Sequence, residues 1–374
     1  MDEPHGCMAE SGTNRITREE FSLPSSDGTT TIKGDLWLAA ATAPPEGAPV
    51  GGERHGGERR DPDATQPRAI VQLVHGMAEH IGRYDVFARH LAALGCIVAG
   101  HDHLGHGRSV DSQESWGVLE PNAGAEHLLE DVDRVGALLA DRFGDLPRVM
   151  FGHSMGSFVL RAYLGRHVGR VDAAIVCATG WQPGAALAFG RAATTFVGRT
   201  RGWTHRPCLV DGMAIGAYAR TFAREEGGQL AWLSRDPATY RAYEADPACG
   251  FTFSAAAYHE LFRLIGMAQN PEVVRGMPAD LPVLLISGTA DPVGSMGRAA
   301  PKVARFMRSC GARDVEVNMH PDARHELLNE TNRTQVMGDI ASWLARKGFL
   351  PNEASGTCAQ VKGASSEDAE ETIR

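Results

Sequence analysis

A serine with a glycine two positions away on either side, Gly152-His153-Ser154-Met155-Gly156, follows three apolar residues, Val149, Met150 and Phe151. An apolar helical pattern comes next: Phe158, Val159, Leu160, Ala162, Tyr163 and Leu164. The order is strand, sharp turn, helix, with a hydroxyl at the apex. A serine becomes a useful nucleophile when a strained turn projects it towards a base, and only small neighbours let the backbone fold that tightly. The same turn leaves the backbone N–H of Met155 at a helix start, placed to bind a developing oxyanion. In a chain with 43 glycines this spacing also arises by chance, so the reading of Ser154 as a nucleophile depends on partners elsewhere.

A nucleophilic serine needs a general base, and the base needs an orienting carboxylate. Pro282 to Gly288 is a short apolar run bounded by Pro and Gly, which predicts a buried parallel strand. Asp291 lies just past its carboxyl end, where open α/β sheets place their catalytic groups. Val315 to Met319 alternates like another strand, and His325 sits in the loop between it and a last helix over Thr331 to Lys347. Serine, carboxylate and histidine thus follow one another in the order Ser154, Asp291, His325. Asp322 is a rival carboxylate, but its place three residues before His325 is that of a turn residue.

A second oxyanion donor is expected in the loop after the first central strand, Ala69 to Val74. There Gly76 permits close backbone approach, and the N–H of Met77 is the candidate donor. His75 and His80 in the same loop lack a third ligand at zinc spacing, so they are read as shaping the loop through hydrogen bonds. The same holds for His101, His103 and His106 beside Asp102, where Gly105 and Gly107 mark a tight structural loop.

The segments HGMAEH, DHLGHGRS, GHSMGS, GTADPVG and ARHELLNE occur in this order. With them the chain resembles the monoacylglycerol lipase and lysophospholipase branch of the α/β-hydrolase superfamily, close to the serine aminopeptidase-like hydrolases. The resemblance covers about residues 18 to 350. It implies that Ser154 is the nucleophile, Asp291 the acid and His325 the base, with the amides of Met77 and Met155 forming the oxyanion hole. It implies hydrolysis of carboxylic esters carrying an apolar acyl chain through an acyl-enzyme, with no metal or organic cofactor. Two other chemistries stay open on the same fold, an aminopeptidase-like cleavage and a cofactor-free perhydrolase. A peptidase needs carboxylates to hold a substrate ammonium, and Glu225, Glu226, Glu244 and Asp246 are available. A non-catalytic binding protein is disfavoured by the complete set of Ser154, Asp291 and His325, since function resides in the site rather than the fold.

The elements that must position these residues follow from periodicity. Phe21 to Pro24 and Thr31 to Leu38 read as an opening pair of strands. Strands near Val71, Ile97, Val149 and Ala173 then alternate with helices over Tyr84–Leu94, 123–143 and the stretch after Ser154, which means βαβ units and a parallel sheet. Strands near Leu284 and Val317 complete it. The expected architecture is an α/β-hydrolase fold, with a mostly parallel central sheet flanked by helices and a helical cap inserted after the sixth strand. The catalytic core is assigned to 18–180 and 281–350, with a flexible Gly/Pro-rich loop at 43–67. The cap is assigned to 181–280, and polar tails at 1–17 and 351–374 are expected to be disordered. Cap aromatics such as Trp181, Trp203, Trp232, Tyr218 and Phe262 are expected mainly as cap core, with an apolar face that could line an acyl pocket.

Composition narrows the partners. No run of about 20 apolar residues predicts a transmembrane helix, and the polar N-terminus lacks a signal-peptide pattern. A net charge of −9 favours neither nucleic acid nor an anionic membrane. The expected partner is a small-molecule or lipid ester, with transient membrane-surface contact through the cap and the oligomeric state left open. Seven scattered cysteines without a C-x-x-C pair fit a reducing, cytoplasmic setting.

Overall fold

The computed structural model describes residues 16–39, 67–225 and 228–351. The expectations for the two tails and the 43–67 loop fall outside these residues except at their edges, as does Glu226. At one edge the boundary moves: Ile16 and Thr17, expected in the N-terminal tail, open the first strand.

Eight strands form one sheet: β1 (Ile16–Pro24), β2 (Thr31–Ala39), β3 (Ala69–Val74), β4 (Cys96–His101), β5 (Arg148–His153), β6 (Ala173–Cys177), β7 (Val283–Gly288) and β8 (Val315–His320). Their order across the sheet is β1-β2-β4-β3-β5-β6-β7-β8. The β1–β2 and β2–β4 pairs are antiparallel and every other pair is parallel. Strands β3 to β7 are buried along their whole length, as expected of parallel strands covered on both faces.

Side chains divide between the faces with a period of two. On β6, Ala174 and Val176 join one core while Ala173, Ile175 and Cys177 join the other; on β7, Val283 and Leu285 oppose Leu284 and Ile286. The first face is covered by α2 (Gly124–Phe143), α3 (Met155–Arg166) and, near the far edge, α10 (Ala299–Ser309). The second is covered by α1 (Asp85–Ala93) and α11 (Arg333–Arg346). Phe151 and Trp343 are fully buried in that second core, each large apolar side chain stabilising the fold by about 1.5–3 kcal/mol.

Between β6 and β7 the described chain is helical: α4 (Gly184–Arg201), α5 (Cys208–Ala214), α6 (Gly216–Ala219), α7 (Pro237–Ala245), α8 (Ala255–Ala268) and α9 (Pro271–Arg275). These helices do not form one layer above the sheet. The first turns of α8 present Ala255, Ala256, Ala257 and Tyr258, all buried, and α8 packs against α3 and α2 inside the helical layer. Its outer side receives α4, where Gly190 lies so near the ring of Phe262 that a Cβ would approach it to 2.6 Å.

Candidate active site

Ser154 closes β5 and opens α3 with φ 52° and ψ −117°, a left-handed conformation that strains any residue bearing a side chain, by roughly 1–3 kcal/mol. The surroundings hold it there. Its N–H donates to the carbonyl of Cys177 (3.1 Å), and its own carbonyl accepts the N–H of Ser157 (2.9 Å). A Cβ on Gly152 would lie 2.4 Å from the Gly156 oxygen, and one on Gly156 would lie 2.1 Å from the Val74 oxygen. Neither glycine can be replaced without moving backbone.

His325 Nε2 stands 2.9 Å from Ser154 Oγ, and His325 Nδ1 stands 3.0 Å from Asp291 Oδ1. Asp291 is fully buried just past β7, and the same oxygen accepts the N–H of Val293 (2.9 Å). With Nδ1–H donated to the carboxylate, Nε2 is left as acceptor for the serine hydroxyl. Burial pushes the His325 pKa down, but the adjacent Asp291 charge and hydrogen bond outweigh it, and the net shift is upward. Asp322 is exposed and its N–H donates to Thr289 Oγ1, so the rival carboxylate is a turn residue.

Met155 is the first residue of α3 and is buried; Met77 lies half-buried in the loop after β3. Both border the same cavity as Ser154 and His325. Gly76 lets the two loops meet, since a Cβ there would lie 2.6 Å from Glu79 Oε1 and 3.2 Å from Ser154 Cβ.

Three charged residues outside the sequence-derived set bind these loops together. Glu79 Oε1 accepts the N–H of Gly76 (2.5 Å) and the hydroxyl of Tyr84 (2.8 Å). Arg83 donates to Glu79 Oε2 (2.7 Å) and, through both terminal nitrogens, to Glu326 (2.7 and 2.6 Å). Burial alone would raise the Glu79 pKa, yet the Arg83 charge and its hydrogen bonds bring it below the usual carboxylate value. Glu79 and Arg83 are four residues apart and could have been suspected; Arg83 and Glu326 are 243 residues apart, and no local pattern joins them.

Histidines of the neighbouring loops hold backbone groups. His75 Nε2 accepts the N–H of His103 (2.9 Å), which leaves Nδ1–H to donate to the Gly76 carbonyl (2.8 Å). Asp102 accepts the N–H of Ile81 (2.8 Å) and is paired with Arg108 (3.0 Å). Among the described residues, His80, Asp246 and Cys249 bring ligand atoms within 4.8 Å of one another. His80 Nδ1 accepts the N–H of Gly82, so Nε2 carries the proton and donates it to Asp246 (2.8 Å). That proton occupies the direction a metal would need, and the contact ties the loop to the end of α7.

The cavity above Ser154 measures about 440 Å³ and its wall on the inserted side is apolar, with Leu187, Phe189, Met213, Ile215, Leu230 and Phe262. Of the carboxylates foreseen for an ammonium, Glu225 is paired with Arg324, Asp246 holds His80, Glu244 is exposed away from the cavity, and Glu226 lies outside the described residues. Asp211 is the acidic residue of the inserted segment that does border it among the described residues, and it accepts the hydroxyl of Tyr258 (2.5 Å).

This fold, with its serine elbow, defines the class: an α/β hydrolase. The chain belongs to the serine aminopeptidase S33 family, whose sequence profile matches residues 65–332. It is similar to the monoacylglycerol lipase of Mycolicibacterium smegmatis, 31% identical over 302 residues that cover 79% of this chain and 95% of the lipase. The monoglyceride lipase of Mus musculus is 25% identical over 285 residues, 75% of this chain and 84% of that one. Among solved structures, a thermostable carboxyl esterase from Bacillus coagulans superposes with a TM-score of 0.76 at 24% identity, covering 89% of this chain and 99% of the esterase. A lipase in its open form gives 0.73 at 26% identity, over 88% and 99% of the two chains.

Proposed function

We propose that this protein is a serine hydrolase that cleaves carboxylic esters with an apolar acyl chain, of the monoacylglycerol or lysophospholipid type, through an acyl-enzyme. The observation that carries the reading is the chain Ser154–His325–Asp291, with contacts of 2.9 and 3.0 Å, opening into an apolar cavity. The lipase relatives support the same substrate class.

His325 Nε2 takes the Ser154 proton as Oγ attacks the ester carbonyl, and Asp291 holds Nδ1–H and stabilises the imidazolium. The N–H groups of Met77 and Met155 receive the oxyanion; loss of one such donor typically lowers turnover by a hundredfold or more, about 3 kcal/mol. His325 then protonates the leaving alcohol, and water releases the acid by the same route. Among the described residues the inserted segment brings one carboxylate to the cavity, Asp211, which holds the Tyr258 hydroxyl, while the rest of that wall is mainly apolar, and this favours the ester.

Phe189 (64% exposed) and Phe196 (69%) on α4, with Leu209 and Met213 on α5, give the cap an apolar outer surface. Phe189 and Met213 also border the cavity, so that surface runs continuously into the acyl site. This supports transient contact with a lipid surface during substrate uptake. No helix among the described residues is long and apolar enough to cross a membrane. The cytoplasmic setting rests on the free thiols of Cys96, Cys177, Cys208, Cys249 and Cys310.

A fluorophosphonate probe should label the wild-type protein and spare Ser154→Ala. A panel of p-nitrophenyl esters beside aminoacyl anilides should give turnover on the esters alone. Anilide cleavage outrunning ester cleavage would establish the peptidase instead.

A further inference from the structure

The loop that carries His325 is not held by the sheet alone. Five consecutive residues of the inserted segment, Ala231 to Arg235, run beside it. The N–H of His325 donates to the Trp232 carbonyl (3.4 Å) and that of Glu326 to the Leu233 carbonyl (2.7 Å). Arg324 donates to the Ala231 carbonyl (2.5 Å), Ser234 Oγ to the Asn329 carbonyl (2.9 Å), and Arg235 to buried Glu330 (3.0 Å). A loop outside regular structure must find partners for its backbone donors, and here the insertion supplies two of them at and beside the imidazole.

The Trp232 ring lies against the His325 ring, with centroids 5.1 Å apart and planes at 35°. The His153 ring also touches it, at 4.8 Å and 47°. The His153 pKa is brought down to about 4, first by burial and then by the His325 charge, so this neighbour stays neutral at pH 7. Trp232 in turn meets Tyr218 at 5.8 Å, and both border the cavity.

We propose that Trp232 is a positioning residue for His325, so that the inserted segment completes the catalytic base as well as covering the acyl site. This rests on the reading of His325 as the base. The indole face keeps water from the imidazole, limits its rotation about the Asp291 bond, and offers an electron-rich surface to the imidazolium formed during acylation. An acyl chain lodged against Trp232 and Tyr218 therefore presses on the same ring that sets the base.

A simple wall residue matters only to esters long enough to touch it, whereas a positioning residue matters to every ester. The test measures kcat and KM for p-nitrophenyl acetate and decanoate in wild type, Trp232→Leu, Trp232→Phe and His325→Ala, with thermal melts to verify folding. Leucine keeps an apolar wall without the aromatic face, and phenylalanine restores the face. The expected result is a fall in kcat of about tenfold or more on both esters in Trp232→Leu, with KM for acetate little changed and Phe within about threefold of wild type. Wild-type turnover of acetate by folded Trp232→Leu, beside an inactive His325→Ala, would overturn the proposal and leave the base standing. Turnover retained in His325→Ala would overturn the base itself.

Discussion

Arg83 grips Glu326, the residue next to His325, through two hydrogen bonds of 2.7 and 2.6 Å, with both side chains almost fully buried. Its other contact, to Glu79, reaches the loop that carries Gly76 and Met77. One guanidinium thus ties the loop of His325, the proposed base, to the loop of Met77, the proposed oxyanion donor. Arg83→Met leaves two buried carboxylates without their cation, and removing one member of such a group typically destabilises by about 3–5 kcal/mol. Urea denaturation should show the loss as a lower midpoint at unchanged slope. Arg83→Lys, which cannot form the paired contact to Glu326, should recover only part of it.

Ser154→Ala and His325→Ala should each abolish nearly all ester hydrolysis, and the double variant should be little worse than either, because the members act as one unit. Asp291→Asn should fold and lower kcat by up to about 10⁴-fold, since an amide favours the wrong imidazole tautomer. Steady-state kinetics on one ester checks all four variants.

The upward shift of His325 places the acid limb of kcat/KM above the ordinary histidine value of 6.5. Below that limb the imidazole holds a proton at Nε2 and cannot accept one from Ser154, so activity is lost as pH falls through it. Asp291→Asn removes the charge that raises the pKa, and the residual activity should show its acid limb at lower pH. A pH–rate profile of both proteins reads the difference.

Stability carries a separate pH signature. Burial lowers the pKa of His106 to about 4 and takes His75 and His103 well below 6.5; burial, aided by the His325 charge, brings His153 to about 4. Because these folded values lie below the unfolded one, their contribution is fully present above pH 6.5 and is lost as pH falls towards 4, where the unfolded chain binds protons that the folded chain refuses. Melting temperatures should therefore drop steeply between pH 6.5 and about 4. His106→Phe, which keeps a ring beside Phe251 and Phe253, should soften the slope.

Acyl specificity should reside in the inserted helices. Each further buried methylene is worth about 0.8 kcal/mol, so kcat/KM should rise roughly fourfold per carbon until the cavity is full. Phe189→Ser, on an exposed position at the cavity rim, should flatten that rise, weaken sedimentation with phosphatidylcholine vesicles, and leave acetate hydrolysis unchanged.

The elbow was legible from the residues because its constraints leave glycines at fixed spacing. A Cβ at Gly152 would meet the Gly156 carbonyl within the turn and one at Gly156 would meet Val74 on β3, so both positions around the strained Ser154 stay bare, and the apolar runs beside them announce strand and helix. Asp291 and His325 stood out as polar residues beyond an apolar strand, β7, and an alternating one, β8, which run parallel so that their carboxyl ends share one edge of the sheet. Boundaries were less so: α8 was assigned to the cap, yet its apolar face packs within the layer against α3, a choice that periodicity cannot make between two apolar destinations.

What the chain alone could not reveal is which distant polar groups meet. Glu225 and Asp246 were free carboxylates on paper; packing set them against Arg324 and His80, and left Asp211 as the carboxylate of the inserted segment at the cavity among the described residues. Arg83 with Glu326, and Trp232 with His325, are likewise long-range pairs. Backbone conformation is decided by sterics among near neighbours, and so leaves its trace in short motifs. Side-chain partnership depends on how βαβ topology brings remote segments together, and only the folded chain settles that.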